Sequence, residues 1–228
     1  MGIHDGHRER MKNQFLKNGL DAFEPHQVLE LLLFYTRPRG DTNVLSHILL
    51  ERYETLTALF DAPYDELLQI DGVGTSTATF IKMLPQLFSI YMCGKIKEGD
   101  CITSTKSAGE YFVPKFLGKK NEELHMLSLD DKHKIIRAKK LFEGTVNATA
   151  VAIKSIVAEA VSSNATTVII AHNHPGGVAL PSSNDKIVTQ KILMALDLIN
   201  IRLEDHIIVA DDDFVSLADS GYLQNFRQ

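Results

Sequence analysis

Two histidines, a serine and an aspartate lie close together in the carboxyl-terminal half of the chain, and their types suit metal chemistry. His172 and His174 follow a hydrophobic run, and Ser182 and Asp185 come shortly afterwards. Residues i and i+2 of a strand point to the same side, so both imidazoles face one way where the strand ends. Pro175 and two glycines then turn the chain, and Asp185 arrives from the start of the next helix. Two imidazoles and one carboxylate suit Zn²⁺ and leave a fourth position for water, as catalytic zinc sites do.

The same residues also have a purely structural interpretation. Ser182 or Ser183 would cap the helix that begins there, and the two histidines would simply fill space at the end of the strand. This interpretation explains the serines and the start of the helix. It does not explain two histidines on the same side of a hydrophobic strand. A metal site with His172, His174 and Asp185 as ligands is therefore favoured.

The spacing of apolar residues changes near residue 100 and predicts two domains. Residues 1–92 show helical spacing interrupted by short turns and predict an all-α domain. The polar, glycine-bearing segment 93–104 predicts a linker. Residues 105–228 alternate strand-like and helical patterns and predict an α/β or α+β fold. In that domain, the strand before His172 and the helix that begins near Asp185 must position the site.

Strands are expected first in the second domain. Hydrophobic runs predict them at 124–129, 135–136 and 140–146. An apolar stripe over 152–162 then predicts a helix, and a β-branched run at 166–171 predicts the buried strand that leads to His172.

Residues 67–84 resemble a helix–hairpin–helix. Gly72, Val73 and Gly74 form its turn, where glycines expose backbone N–H groups that can bind a DNA phosphate at a helix start. Acidic residues surround the turn, Lys82 is the nearest base, and the net charge of −5 opposes strong non-specific DNA binding. Many such hairpins only pack two helices together, so phosphate contact and simple packing both stay open.

The composition is that of an ordinary globular protein. The 228 residues are 44% hydrophobic and 23% charged, which excludes wholesale disorder. No apolar run reaches about 18 residues and the start of the chain is polar, so we expect neither a membrane span nor a signal peptide. Cys93 and Cys101 match no metal or redox spacing. These features predict a reduced, cytoplasmic protein without a membrane partner.

His172, His174, Ser182 and Asp185 form the pattern His-x-His-x7-Ser-x2-Asp, which resembles the signature of the JAMM (MPN+) zinc-dependent peptidases. The longer match over residues 171–185 resembles their bacterial branch, the RadC family, and the similarity covers nearly the whole chain. The resemblance implies an MPN core with a curved mixed sheet flanked by helices, preceded by a small all-α domain. It also implies one zinc ion per chain, held by His172, His174 and Asp185.

Enzymes of this kind add a glutamate that takes a proton from the metal-activated water and passes it to the leaving amine. Glu122 and Glu123 open the first predicted strand, and only one can serve because adjacent strand residues face opposite sides. The RadC-like spacing of a glutamate eight residues before Asp130 favours Glu122, and Glu143 is a weaker third candidate. Ser182 would donate a hydrogen bond to the developing oxyanion, with the helix cap as its alternative role.

Two functions follow from these residues. The first is a zinc-dependent hydrolase of a peptide or isopeptide-like amide bond in a peptide or protein substrate that the sequence does not identify. The alternative is a DNA-repair-associated accessory protein that binds DNA through Gly72, Val73 and Gly74 and keeps a structural or vestigial zinc site. A zinc nucleobase deaminase is excluded, because the chain lacks the His-x-Glu and Pro-Cys-x-x-Cys patterns.

Overall fold

The computed structural model of the chain describes residues 3–144 and 149–226. The chain folds as two units, Met1–Leu87 and Phe88–Gln228. Within the described ranges, no helix has both the length and the hydropathy that crossing a membrane requires.

The first unit is all-helical, as the spacing of its apolar residues predicts. Its helices are α1 (Ile3–Asn18), α2 (Pro25–Thr36), α3 (Asn43–Tyr53), α4 (Leu56–Asp61), α5 (Tyr64–Leu67) and the start of α6 (Thr75–Cys93). Proline suits the first position of α2, where the missing N–H has no helical partner. Asp41 accepts the N–H groups of Asn43 and Val44 at 2.9 and 3.4 Å and so caps α3.

The second unit is built on a five-stranded sheet. Its elements are α7 (Thr105–Phe116), β1 (Glu123–Leu129), β2 (Ile135–Glu143), α8 (Thr149–Ser162), β3 (Thr167–Asn173), α9 (Ser183–Asp197), β4 (Arg202–Ala210), β5 (Asp213–Ser216) and α10 (Tyr222–Phe226). The strand order is β2-β1-β3-β4-β5, with β3 and β4 parallel and the other neighbours antiparallel. This open mixed sheet with helices against it confirms the predicted fold class.

One strand replaces two that the hydrophobic runs predict. The runs at 135–136 and 140–146 belong to the single strand β2, and residues 145 and 146 lie outside the described part of the chain. Its pairing with β1 has two irregularities, between Leu124 and His125 and between Ser128 and Leu129. Residues 137–140 in the middle of this edge strand are exposed and mostly polar, which is why one strand looks like two short hydrophobic runs.

The sheet has a hydrophobic core on each face, and the alternation of its strands decides what each face carries. Ile170 and Ile208 point to one face, where they pack with α8 and α9. Ile169 and Ile207 point to the other face, where they pack with α7. His172 is two residues beyond Ile170 on β3, so its imidazole lies on the face that α9 covers.

Candidate metal centre

The three predicted ligands converge where β3 ends. Nε2 of His172 lies 2.9 Å from Nε2 of His174, and each of these nitrogens lies 3.4 Å from one carboxylate oxygen of Asp185. Within residues 3–144 and 149–226, this is the one group of three or more His, Cys, Asp or Glu side chains whose ligand atoms come together in this way. Their side chains are 13–20% exposed, so water reaches the group.

The spacing of these atoms fits a zinc ion. Ligands about 2.0–2.2 Å from a tetrahedral Zn²⁺ lie about 3.3–3.6 Å from one another. The observed separations of 2.9–3.4 Å approach that spacing, and they join atoms of the types that zinc prefers. Three protein ligands leave one position for water, as in catalytic zinc sites.

A turn and a helix start bring Asp185 to the two histidines. His174 donates its backbone N–H to the carbonyl of Val209 at 2.8 Å, which extends the β3–β4 pairing by one residue. Gly176 then takes a φ of +67°, a conformation that favours glycine, and the chain turns towards α9. Asp185 lies in the first turn of that helix, where the macrodipole stabilises its carboxylate.

Ser182 forms the cap of α9 in this structure. Its Oγ accepts the backbone N–H of Asp185 at 3.1 Å and donates its own proton to Oδ2 of Asp185 at 2.6 Å. The backbone N–H of Ser182 donates to the same oxygen at 2.8 Å. The serine therefore orients the carboxylate of a candidate ligand, and its role as oxyanion donor stays a prediction.

Charges and burial at the site favour an ionised ligand carboxylate. Burial raises the pKa of Asp185, but hydrogen bonds with His172 and His174 outweigh burial and hold that pKa well below its usual range. The hydrogen bond to Asp185 in turn raises the pKa of His174, and the negative charge of Glu122 adds to that effect. The two imidazoles thus face an anionic ligand.

The second ring nitrogen of His174 has its own partner. Nδ1 lies 3.2 Å from the backbone carbonyl of Val178, and a carbonyl oxygen can only accept a hydrogen bond. Nδ1 therefore carries the proton in the neutral ring, and Nε2 keeps the lone pair that a metal needs.

Two of the three candidate glutamates, Glu123 and Glu143, pair with basic side chains away from the candidate metal ligands. Glu123 is buried and lies 3.1 Å from Nζ of Lys119 and 2.7 Å from Nε2 of His125. Glu143 pairs with Lys140 and stands opposite Glu123 in the β1–β2 register, so the two glutamates share a face. That face is the one opposite the histidine ligands.

Glu122 lies on the ligand side. In the antiparallel pairing of β1 with β3, Leu124 stands opposite His172, and continuing this register places Glu122 opposite His174. Opposed residues of neighbouring strands share a face. Glu122 is half-buried, and its charge reaches His174. This placement suits the general base expected there, an assignment that stays a prediction.

The sequence pointed only weakly to two neighbours of the site. Asn173, between the two histidines, faces the opposite side of β3 and contacts the backbone on both sides of Glu122. His206, on β4, places Nε2 2.8 Å from Nδ1 of His172, and burial holds its pKa well below the usual value. A buried polar residue in a hydrophobic strand is the signal they share, and it does not reveal their partners.

The predicted DNA-contacting residues lie in the turn between α5 and α6. Val73 is buried in the helical core. The carbonyl of Gly72 accepts a hydrogen bond from Nη1 of Arg37 at 2.7 Å, and a Cβ added to Gly72 would come within 2.6 Å of the same nitrogen. Gly74 faces open space, with nothing within 4 Å of an added Cβ.

Comparison with known proteins gives a family match and relatives of similar length. Residues 102–222 match the family model of the RadC-like JAB domain. A UPF0758 protein of Fusobacterium nucleatum is 32% identical over 225 residues, which cover 96% of this chain and 97% of that protein. A UPF0758 protein of Vibrio campbellii is 31% identical over 212 residues, 93% of this chain and 95% of that one. One from Xylella fastidiosa is 32% identical over 215 residues, 94% and 96% of the two chains.

Proposed function

Since the chain belongs to the family of RadC-like JAB domain proteins, we propose that it is a zinc-dependent hydrolase of a peptide or isopeptide-like amide bond. The JAB domain itself suggests a metal-dependent hydrolase role. The observation that carries the finer proposal is the convergence of His172, His174 and Asp185, with their ligand atoms within 4.8 Å of one another. Relatives named only as UPF0758 proteins add no activity to this argument.

The chain's own residues would hold the metal and move the proton. Zinc bound by His172, His174 and Asp185 would act as a Lewis acid and lower the pKa of water to about 7. Glu122, opposite His174, would accept a proton from the attacking water and deliver it to the leaving amine. Ser182 would keep the Asp185 carboxylate oriented through the hydrogen bonds described above.

Apolar side chains beside the ligands support a peptide-like substrate. Val178 and Leu180 lie in the loop that connects His174 to α9, and their side chains are 66% and 61% exposed. Binding sites for small and extended ligands combine apolar surface with a few well-placed polar groups. The apolar side chains that flank a peptide amide would pack against Val178 and Leu180 in this loop.

Metal uptake is the first test of the proposal. Elemental analysis of the untagged protein should give close to one zinc per chain, and His174→Ala should retain little of it. Loss of one of three ligands removes most of the affinity, because two ligands hold zinc poorly. A parent protein that takes up no zinc, even after reconstitution, would contradict the proposal.

The role of the glutamate is tested by Glu122→Gln, with Glu143→Gln as its matched control. A general base typically contributes a factor of about 10² to 10⁴, so we expect Glu122→Gln to keep its zinc and lose turnover by that order. Glu143 is exposed and lies on the opposite face, so Glu143→Gln should keep both. Turnover would be measured on fluorogenic peptides and on a lysine-linked isopeptide. Unchanged turnover in Glu122→Gln would remove this residue from the mechanism.

A second proposal concerns DNA contact through the hairpin. Arg37, distant in sequence, reaches the Gly72 carbonyl and adds a cation to a turn whose local sequence is acidic. The open surroundings of Gly74 leave room for a backbone of another molecule to approach. DNA binding would be a function of the first unit, separate from the metal centre in the second.

A further inference from the structure

His172 is linked through its second ring nitrogen to two buried side chains. Its Nδ1 lies 2.8 Å from Nε2 of His206, and Nδ1 of His206 lies 2.6 Å from Oγ1 of Thr189. Thr189 Oγ1 also lies 2.5 Å from the backbone carbonyl oxygen of Asp185, one turn earlier in α9. His206 and Thr189 are 3% and 0% exposed, so bulk water does not compete for these contacts.

The backbone carbonyl of Asp185 fixes which atoms donate in the contacts of Thr189. A carbonyl oxygen only accepts, so the single hydroxyl proton of Thr189 is committed to Asp185. Nδ1 of His206 must then donate to Thr189, because no other proton is available for that contact. A His172 ring that binds a metal through Nε2 carries its proton on Nδ1, and Nε2 of His206, 2.8 Å away, is placed to accept it. Nδ1 of His172 is consequently the donor to His206.

We propose that Thr189 and His206 are positioning residues that hold the proton of His172 on Nδ1 and leave its Nε2 lone pair for the metal. The proposal rests on the metal site proposed above and goes beyond its three ligands. Asp185 thereby has two roles, since its carboxylate is a ligand and its backbone carbonyl orders the tautomer of another ligand. Partners of this kind typically change metal affinity about 10- to 100-fold.

The test substitutes Thr189 in the full-length protein. Thr189→Val keeps the shape of the side chain and removes the hydroxyl, so His206 loses the acceptor that keeps its proton on Nδ1. We expect the zinc affinity, measured at one fixed pH by competition with a chromophoric chelator, to fall about 10- to 100-fold. Thr189→Ser restores a hydroxyl and should bind zinc nearly as tightly as the parent. Equal affinity in the parent and in Thr189→Val would overturn the proposal.

Thr77→Val is the matched control. Thr77 is also buried in a helix and donates its hydroxyl proton to Oγ1 of Thr36, but it belongs to the first unit. The same chemical change there should leave zinc affinity at the parental value. An equal loss of affinity in Thr77→Val would show that buried threonine hydroxyls matter only through general stability, and would count against the proposal.

The tautomer itself gives a second readout, which a purely structural role would not change. In the metal-free parent, ring ¹⁵N chemical shifts should show Nδ1 of His172 protonated, because it donates to His206. In Thr189→Val the two nitrogens should move towards a mixture of tautomers, and in Thr189→Ser they should return. An Nδ1 of His172 without a proton in the metal-free parent would overturn the proposal directly.

These measurements separate the two proposals. If the parent takes up no zinc, the hydrolase proposal fails, and the ring shifts of the metal-free protein still decide the role of Thr189 and His206. If the parent binds zinc and Thr189→Val binds it as tightly, the hydrolase proposal stands and the positioning role is wrong.

Discussion

Asn173 stands between the two histidine ligands in sequence but faces away from them, towards the start of β1. Its Oδ1 accepts the backbone N–H of Glu123 at 2.7 Å, and its Nδ2 donates to the backbone carbonyl of Asn121 at 3.0 Å. One side-chain amide thus holds the backbone on both sides of Glu122. At the scale of single residues, Asn173 thus connects the backbone around Glu122, the candidate base, to the strand that carries the two histidine ligands.

Removing this amide should destabilise the protein. Asn173→Ala leaves a buried backbone N–H without its acceptor and frees the Asn121 carbonyl, which together should lower the free energy of unfolding by about 1–3 kcal/mol. Asn173→Asp keeps the acceptor for Glu123 but buries a carboxylate whose second oxygen faces the Asn121 carbonyl, so it should destabilise the protein at least as much at neutral pH. Urea denaturation of the three proteins gives the values. An Asn173→Ala variant as stable as the parent would refute this role.

At the scale of elements, helix α7 approaches strand β5 through a glycine. Gly109 lies inside α7, where glycine costs about 1 kcal/mol relative to alanine. A Cβ added at Gly109 would overlap the ring of Phe214 on β5. Glycine is therefore explained here by the close packing of the helix on the sheet, and not by a turn.

Gly109→Ala should destabilise the second unit despite the higher helix propensity of alanine. Overpacking a filled interior typically costs about 1–3 kcal/mol, which exceeds the gain in propensity. Thermal unfolding followed by circular dichroism would show the lower midpoint. The double variant Gly109→Ala with Phe214→Leu supplies the control, because a smaller side chain at 214 removes the overlap and should recover most of the loss. Failure of this rescue would mean that another contact causes the effect.

At the scale of the whole molecule, the chain carries two units with separate hydrophobic cores. The helical core includes Leu29 and Leu49, and the cores of the sheet include Ile170 and Ile169. The predicted DNA-contacting turn belongs to the first unit and the candidate metal centre to the second. Two functions in two units should therefore be lost by different substitutions.

Gly74→Val tests the DNA proposal without disturbing the metal site. Nothing lies within 4 Å of a Cβ at this position, so the side chain fits and zinc uptake should stay at the parental value. Valine at the N-cap of α6, whose carbonyl accepts the N–H of Ala78, should lower stability by about 1 kcal/mol. A side chain there would block close approach of a phosphate, so duplex binding, measured by fluorescence anisotropy, should weaken. Parental binding should also fall as salt rises, because phosphate contacts release counterions. His174→Ala is the reciprocal control and should bind DNA as the parent does. If the affinity for duplex DNA changes neither with salt nor in Gly74→Val, the hairpin is not the site of contact.

Much of the fold and of the candidate site could be predicted from local patterns in the sequence. The alternation that places His172 and His174 on one side of a strand depends on neighbouring residues alone, and so does the cap that begins α9 at Ser182. The change from helical to strand-like spacing near residue 100 is local in the same sense. For this reason the helical first region, the mixed α/β second region and the three candidate ligands are all visible in the sequence.

Contacts between distant segments were decided only by the tertiary structure. The register that sets Leu124 opposite His172, and so brings Glu122 to the ligand side, joins strands that are nearly fifty residues apart. The partners of Asn173 and the series from His172 through His206 to Thr189 depend equally on how strands and helix α9 pack. Residue types show that a buried polar side chain needs a partner, but strand register and helix packing determine which partner it finds.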